Sequence, residues 1–304
     1  MISQDNKSIM KEELLLELAD GMELYTEYYH SGKMHTVLFI HGGPGESCVS
    51  FSYFAALGSE HFNIVMCDQR GVMRSQEETN NERISVNRLI DDFEEVREIL
   101  KIKKWFILGH SFGGYIAMRY VMRSPQSILG VIYENPCFHI GHSLRAVLKK
   151  HIDYYNGTGE FEKKLKAEEL LQVDNIVEQF DGIRSFPELD RKHVFISEAV
   201  TKKCMEFFDP DLITEEALQK CDRHYNAIKE DQTLRQEYLP DLIDVEIPSL
   251  LIQGEKDPLL PQEDLKEWLR NPACTAVIVA NAGHYVHSDA PEKMIVFLRQ
   301  FIGD

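Results

Sequence analysis

Positive charge is scarce in this 304-residue chain, and long apolar runs are missing. The chain has 33 basic residues against 50 acidic ones, which gives a formal net charge of −17. Nucleic acids and anionic membrane surfaces attract positive charge, so this balance argues against both as partners. No window approaches the roughly 18 apolar residues that a membrane-spanning helix requires, and we therefore expect no membrane partner.

Cysteine is sparse as well as scattered. The six cysteines form no CxxC pair, the spacing that is typical of zinc and redox sites. We therefore expect reduced and mostly buried thiols, with no metal and no cofactor. The first seven residues lack the long apolar run of a signal peptide. Together these features predict a cytoplasmic protein.

Short apolar segments alternate with helical patterns over much of the chain. Two runs joined at Asp20-Gly21 predict an antiparallel hairpin at the edge of a sheet. Continuous apolar runs are typical of strands buried on both faces of a parallel sheet, and such runs occupy 36–40, 63–67, 105–108, 130–133, 249–252 and 276–280. Helical spacing at 86–100, 262–269 and 291–301 implies right-handed crossovers between the strands. The pattern predicts an α/β fold with a mostly parallel, doubly wound sheet.

The alternation stops between residues 137 and 236. This charged stretch predicts helices at 144–151, 161–171, 196–208 and 215–228, and no convincing strand. We interpret it as an insertion between the fourth and fifth strands of the parallel run. The predicted organisation is a core formed by 1–136 and 237–304 that carries a helical cap at 137–236.

The most informative segment is Gly109-His110-Ser111-Phe112-Gly113. It follows an apolar strand pattern and precedes a helical one, which predicts a sharp strand–turn–helix with a serine at the turn. Small flanking residues allow the strand and helix to approach closely, while the serine hydroxyl is exposed. This arrangement is typical of a nucleophile elbow in a serine hydrolase.

Two further segments follow predicted strands. The segment 41–45, His-Gly-Gly-Pro-Gly, can expose backbone amides near the serine, as an oxyanion hole requires. We interpret His41 as a buried residue that bonds nearby backbone. In the segment 68–71 we expect Asp68 and Arg70 to tie loops together by ion pairing.

A base and an acid are expected late in the chain. His284 and Asp257 each lie just past the carboxyl end of a predicted strand, where open α/β sheets place their sites. The chain order Ser…Asp…His is the one used by α/β hydrolases. Glu255 and Glu134 are rival acids, and His287 is a rival base. No third ligand at suitable spacing supports metal binding by His284 and His287.

These motifs together resemble the proline iminopeptidase-like branch of the α/β hydrolases. The elements HGGPG, DQRG, GHSFGG, GEKD and GHYVHSDAPE occur in family order. The resemblance covers about 13–136 and 241–302, and the insertion corresponds to the family's helical cap. It implies that Ser111 is the nucleophile, His284 the base and Asp257 the acid. The amides of Gly43 and Phe112 would form the oxyanion hole.

The resemblance implies an acyl-enzyme hydrolase of a small-molecule or short-peptide substrate, first of all an aminopeptidase. A carboxylesterase or lactonase is the alternative, and a non-catalytic binding protein on a hydrolase scaffold is a third. Prolyl aminopeptidases carry a Trp-Glu element in the cap, but both tryptophans here, Trp105 and Trp268, lie outside it. Cap glutamates such as Glu198 and Glu206 could hold a substrate amine instead.

Overall fold

The computed structural model describes residues 10–195 and 209–303. Within these residues the strands are β1 (Met10–Glu17), β2 (Glu23–His30), β3 (Thr36–Ile40), β4 (Asn63–Cys67), β5 (Trp105–His110), β6 (Ile128–Glu134), β7 (Ser249–Gly254) and β8 (Cys274–Val279). They form one sheet in the order β1-β2-β4-β3-β5-β6-β7-β8. The first two strands pair antiparallel, and β3 to β8 run parallel to one another. The predicted fold class is confirmed.

Helices cover both faces of the sheet, as the continuous apolar strands require. In β3, Leu38 and Ile40 face one apolar cluster, whereas Val37 and Phe39 face the other. The first cluster includes the helices Val86–Ile99 and Phe112–Arg123, and the second includes Ser52–Gly58 and Pro291–Ile302. Two shorter helices, Gln262–Trp268 and Val286–Asp289, complete the C-terminal half. No helix in the described part of the chain is long and apolar enough to span a membrane.

The predicted hairpin forms the edge of the sheet. β1 and β2 pair along their full length, and the Leu18 amide donates to the Met22 carbonyl at 2.8 Å across the turn. Gly21 adopts a φ of +82°, which a side chain would disfavour. β1 leaves most of its charged side chains exposed, a common protection of an unpaired edge against further strand pairing.

Between β6 and β7, the described residues of 137–236 contribute no strand to the sheet. The α-helices there are Ile140–Thr158, Phe161–Gln172, Ile176–Arg184, Glu188–Phe195 and Glu215–Lys229. Three of the four predicted helices are present in this set, and the predicted helix at 196–208 lies outside the described residues. The helix Ile140–Thr158 contributes to the main core through Leu144 and to a separate small apolar cluster through Leu148. The division into core and cap stays a prediction.

A buried ion-pair cluster around Arg70 ties three parts of the chain together. Asp92, on the helix Val86–Ile99, accepts from Arg70 Nε at 2.9 Å and Nη2 at 2.7 Å. Arg70 Nη1 also lies 3.1 Å from a Glu78 oxygen and 2.9 Å from an Asp20 oxygen. Arg74 in turn contacts Asp68 at 2.7 Å. The predicted loop-tying role of Arg70 and Asp68 is confirmed by these contacts.

We predict that Asp92→Asn lowers the free energy of unfolding by about 3 kcal/mol, because it leaves a buried guanidinium with an incomplete partner. The matched control is Asp91→Asn, which removes an exposed pair with Arg123 and is expected to cost less than about 1 kcal/mol. Chemical denaturation of both variants measures the difference. Equal losses would contradict a special contribution from the buried pair.

Candidate active site

Ser111 occupies a strained turn between β5 and the helix Phe112–Arg123. Its backbone angles, φ +57° and ψ −122°, lie outside the regions that non-glycine residues normally adopt. Backbone hydrogen bonds hold this geometry. The Ser111 amide donates to the Glu134 carbonyl at 3.0 Å, and the Ser111 carbonyl accepts from the Gly114 amide at 2.9 Å and the Cys137 amide at 3.0 Å. The turn is therefore fixed by the end of the neighbouring strand β6.

The glycines around Ser111 are required by close backbone approach. A Cβ added to Gly113 would lie 2.1 Å from the carbonyl oxygen of Ile40, and one added to Gly109 would lie 2.5 Å from that of Gly113. Neither contact is possible without displacing backbone. Any side chain at these positions would push the helix away from β3 and β5 and move Ser111 with it.

His284 and Asp257 meet at the carboxyl ends of β8 and β7. Nδ1 of His284 lies 2.6 Å from Oδ1 of Asp257, and both side chains are buried. The second oxygen of Asp257 accepts from the amides of Leu259 at 3.1 Å and Leu260 at 3.3 Å, which fixes the carboxylate. Nε2 of His284 is left available for another partner.

The rival acids have other partners. An oxygen of Glu255 accepts from the backbone amide of Asn281 at 2.8 Å. Glu134 contacts the ring of His287 at 2.8 Å rather than that of His284. Of these three carboxylates, Asp257 is the one hydrogen-bonded to the His284 ring.

The glycine-rich loop after β3 lies directly against Ser111. A Cβ on Gly42 would lie 2.8 Å from Cβ and 3.3 Å from Oγ of Ser111. One cavity of about 570 Å³ is lined by residues that include Gly43, Ser111, Phe112 and His284. The structure thus places the expected oxyanion-hole residues, the serine and the histidine at a common cavity.

Contacts with His41 and with a neighbouring helix hold the glycine-rich loop in place. Nε2 of His41 accepts from the Gln69 amide at 3.0 Å, so Nδ1 carries the proton and donates to the Gly42 carbonyl at 3.0 Å. Complete burial lowers the pKa of His41 to about 4, which keeps the ring neutral. In addition, a Cβ on Gly45 would lie only 2.6 Å from the carbonyl oxygen of Cys221 in the helix Glu215–Lys229. That helix therefore packs closely against the glycine-rich loop.

A second histidine–carboxylate pair lies buried near the site, and no pattern in the sequence indicates it directly. Both Glu134 oxygens face Nδ1 of His287, at 2.9 and 2.8 Å, and the His287 Nε2 faces the Ser50 carbonyl at 3.2 Å. Each ring nitrogen of His287 therefore faces an oxygen acceptor. The histidines hold the pKa of Glu134 well below its usual range, against its burial.

His110 completes this buried group. Its Nδ1 lies 3.3 Å from a Glu134 oxygen, and burial lowers the pKa of His110 to about 4. Donor atoms of His110, Glu134 and His287 all lie within 4.8 Å of one another, so they are the described residues best placed to hold a metal ion. Glu134 and His287 already contact each other at hydrogen-bond distance, and the group is wholly enclosed, so hydrogen bonding within the protein accounts for the arrangement.

Asn135 links the two late loops and was also missed by sequence reasoning. Its side-chain amide donates to the carbonyls of Gly283 at 3.0 Å and His284 at 2.7 Å. Its side-chain oxygen accepts from the Gly254 amide at 2.8 Å. One residue at the end of β6 thereby sets the separation of the loops that carry Asp257 and His284.

Residues 35–291 match the family model described as the alpha/beta hydrolase fold. The chain belongs to this family. Among curated relatives, proline iminopeptidase from Heyndrickxia coagulans is 27% identical over 128 residues, which cover 42% of this chain and 44% of the relative. Proline iminopeptidase from Arabidopsis thaliana is 31% identical over 140 residues, 46% of this chain and 34% of the relative. The chain thus spans less than half the length of these relatives.

A solved structure supports the fold over nearly the whole chain. The proline iminopeptidase-related protein from Thermus thermophilus superposes with a TM-score of 0.73 and covers 97% of this chain and 98% of its own. Its sequence identity is 19%, so the similarity bears on the fold alone. The resemblance to the proline iminopeptidase-like branch is confirmed at the level of the family.

Three fully buried histidines predict acid sensitivity. The pKa values of His41, His110 and His224 are each lowered by burial from 6.5 to about 4. Because the unfolded chain binds these protons at higher pH, the stability they contribute is complete above pH 6.5 and is lost as pH falls toward 4. Each histidine is expected to contribute up to about 3 kcal/mol to that loss.

The variant His224→Gln tests the predicted acid sensitivity at a histidine that is not part of the Ser111 turn. His224 lies on the helix Glu215–Lys229, and its Nδ1 faces the Arg70 carbonyl at 2.8 Å. Denaturation at several pH values between 7 and 4 should show a shallower decrease in unfolding free energy for the variant. The measurement compares how steeply the unfolding free energy changes with pH in the two proteins. A loss of stability that is the same at every pH does not affect this comparison. An unchanged slope would count against a depressed His224 pKa.

Proposed function

We propose that this protein is a serine hydrolase that forms an acyl-enzyme on Ser111. The observation that carries the proposal is a buried Asp257–His284 hydrogen bond at the cavity where Ser111 emerges from a strained elbow. A histidine can take the serine proton, and a carboxylate on its other nitrogen fixes the tautomer and stabilises the imidazolium. The chain order of these groups, which is the one that α/β hydrolases use, adds support from the family.

The proposed reaction begins when His284 Nε2 accepts the Ser111 proton and Oγ bonds to the substrate carbonyl carbon. The carbonyl oxygen becomes an oxyanion, for which we assign the amides of Gly43 and Phe112 as donors. Collapse breaks the bond to the leaving group, which takes the proton from His284. Water then attacks the acyl-enzyme, gives its proton to His284, and the acid is released as Ser111 is re-protonated.

We place the substrate among amides with a free amino terminus, which makes the protein an aminopeptidase. Support comes from the curated relatives, which are named proline iminopeptidases, although the matched segments cover less than half of them. A cavity of about 570 Å³ suits a small molecule or a short peptide. The proposed cap, 137–236, supplies much of its wall. Glu198 and Glu206, which could hold the amine, lie outside the described residues.

A carboxylesterase or lactonase is the second candidate. The observation that favours it is the set of apolar side chains in the cavity lining, which includes Ile140, Leu144 and Val147 of one helix and Leu259. An acyl chain without charge would pack against such side chains. The third candidate, a binding protein without catalysis, finds less support because nucleophile, base and acid all occur in the chain.

We predict that Ser111→Ala lowers turnover by about four to six orders of magnitude and abolishes labelling by a fluorophosphonate probe. Folding should persist, because alanine lacks only the hydroxyl. Ser143→Ala is the matched control, since Ser143 lines the same cavity. The probe should still label Ser111 in this variant. Labelled Ser111→Ala protein would identify another nucleophile and overturn the mechanism.

Acetylation of the substrate amine separates the two candidate activities. For an aminopeptidase, kcat/KM on proline p-nitroanilide should exceed that on its N-acetyl derivative by at least about tenfold, because a charge-assisted hydrogen bond to the amine is lost. Short acyl esters of p-nitrophenol serve as the reference for esterase activity. Equal rates on the free and acetylated amides, with faster ester hydrolysis, would reject the aminopeptidase in favour of the esterase.

A further inference from the structure

Among described residues, the charged side chains that line the cavity are not equally neutralised. Three carboxylates contribute to its wall: Glu46, Glu188 and Asp222. Glu188 lies 2.6 Å from Lys192 Nζ, and Asp222 pairs with Arg184. No lysine, arginine or histidine of the described chain lies within ion-pair distance of Glu46. The cavity therefore contains, in the described part of the chain, one carboxylate whose charge has no fixed counterion.

Glu46 lies between the proposed oxyanion loop and the loop of the proposed base. It follows Gly43 by three residues, and a Cβ placed on Gly43 would be 2.7 Å from the Glu46 amide nitrogen. On the other side, the Tyr285 hydroxyl donates to Glu46 Oε1 at 3.4 Å, and Tyr285 is the residue after His284. Glu46 is thus part of the glycine-rich loop, and its carboxylate accepts a hydrogen bond from the residue that follows His284.

The surroundings of Glu46 favour a cationic ligand. Solvent reaches the side chain through the cavity, yet the enclosing walls raise the pKa of the Glu46 carboxyl, an effect that nearby His284 opposes. An ionised carboxylate in such a setting gains more from a bound cation than one at the open surface does. A protonated amine supplies both the charge and hydrogen-bond donors.

The covalent geometry of an amino-terminal residue determines how close to Ser111 a group that binds the substrate amine must lie. The α-amine nitrogen lies only about 2.5 Å from the scissile carbonyl carbon, since two bonds separate them. That carbon must approach Ser111 Oγ to about 3 Å before attack. An amine anchor must therefore lie beside the catalytic groups, and Glu46 is the unpaired carboxylate that the described structure places there.

We propose that Glu46 binds the protonated α-amine of the substrate's first residue and thereby restricts cleavage to the amino-terminal bond. This inference rests on the proposed aminopeptidase function and names the residue that would give that function its selectivity. The recognition requires a charged amine and not a pyrrolidine ring, so primary and secondary amino-terminal residues both satisfy it. A substrate with a blocked amine supplies no positive charge, so the Glu46 carboxylate stays without a counterion from the substrate.

The experiment compares Glu46→Gln with Glu188→Gln, a variant that removes the same charge from the same cavity. The substrates are proline p-nitroanilide, alanine p-nitroanilide and their N-acetyl derivatives. In Glu46→Gln the ratio of kcat/KM for free over acetylated substrate should fall about tenfold or more, chiefly through KM. In Glu188→Gln the ratio should change less than about twofold. Glu46→Asp, which keeps the charge, should retain part of the preference.

The outcomes separate this inference from the function on which it rests. If the wild-type protein shows no preference for the free amine, the aminopeptidase proposal and the Glu46 proposal both fail. If the wild-type protein shows the preference and Glu46→Gln retains it, only the Glu46 proposal fails. An equal fall in both variants would show a general effect of cavity charge and would likewise reject the contact. Fluorophosphonate labelling of Ser111 in each variant shows that the site is folded.

Discussion

The candidate site depends on one steric constraint, the contact between the backbone of Gly113 and the end of β3. A Cβ at Gly113 would lie 2.1 Å from the Ile40 carbonyl oxygen, so the helix that follows Ser111 can occupy its place only without a side chain there. The strained Ser111 backbone costs about 1–3 kcal/mol, and persists because its surroundings leave no alternative. The helix Phe112–Arg123 packs into the main core, and this packing offsets the cost of the strained Ser111 conformation.

The other groups reach the serine because parallel strands end at the same edge of the sheet. β3 supplies the glycine loop, β7 the Asp257 loop and β8 the His284 loop. Their spacing is refined by polar contacts at the end of β6, where Asn135 bonds to both late loops and Glu134 holds the Ser111 amide through its carbonyl. The geometry of the candidate site is thus set by several neighbouring strand ends and not by one loop.

The sequence predicted the sheet well because strands buried on both faces are continuous apolar runs. The runs at 36–40 and 63–67 coincide with β3 and β4, and the others differ from the observed strands by a few terminal residues. The short helices Ile176–Arg184 and Glu188–Phe195 were missed, since eight or nine residues give little periodicity. Contacts across the chain were beyond sequence reasoning. The pairing of Glu134 with His287 spans 153 positions, and neither residue carries a local pattern that indicates it.

The helix Glu215–Lys229 contacts the loop beside Ser111 and also lines the cavity, and this double role affects which parts of the chain can vary independently. Its Cys221 carbonyl lies against Gly45, its His224 faces the Arg70 carbonyl, and its Lys220 Nζ donates to the Ser75 carbonyl at 2.9 Å. Exchange of this helix would alter the loop beside the serine as well as the cavity wall. The helix Phe161–Gln172, which contributes no residue to the cavity lining, can vary without that penalty. Residues of the helix Phe161–Gln172 should therefore vary more freely than those of the helix Glu215–Lys229, whose changes would also disturb the loop beside Ser111.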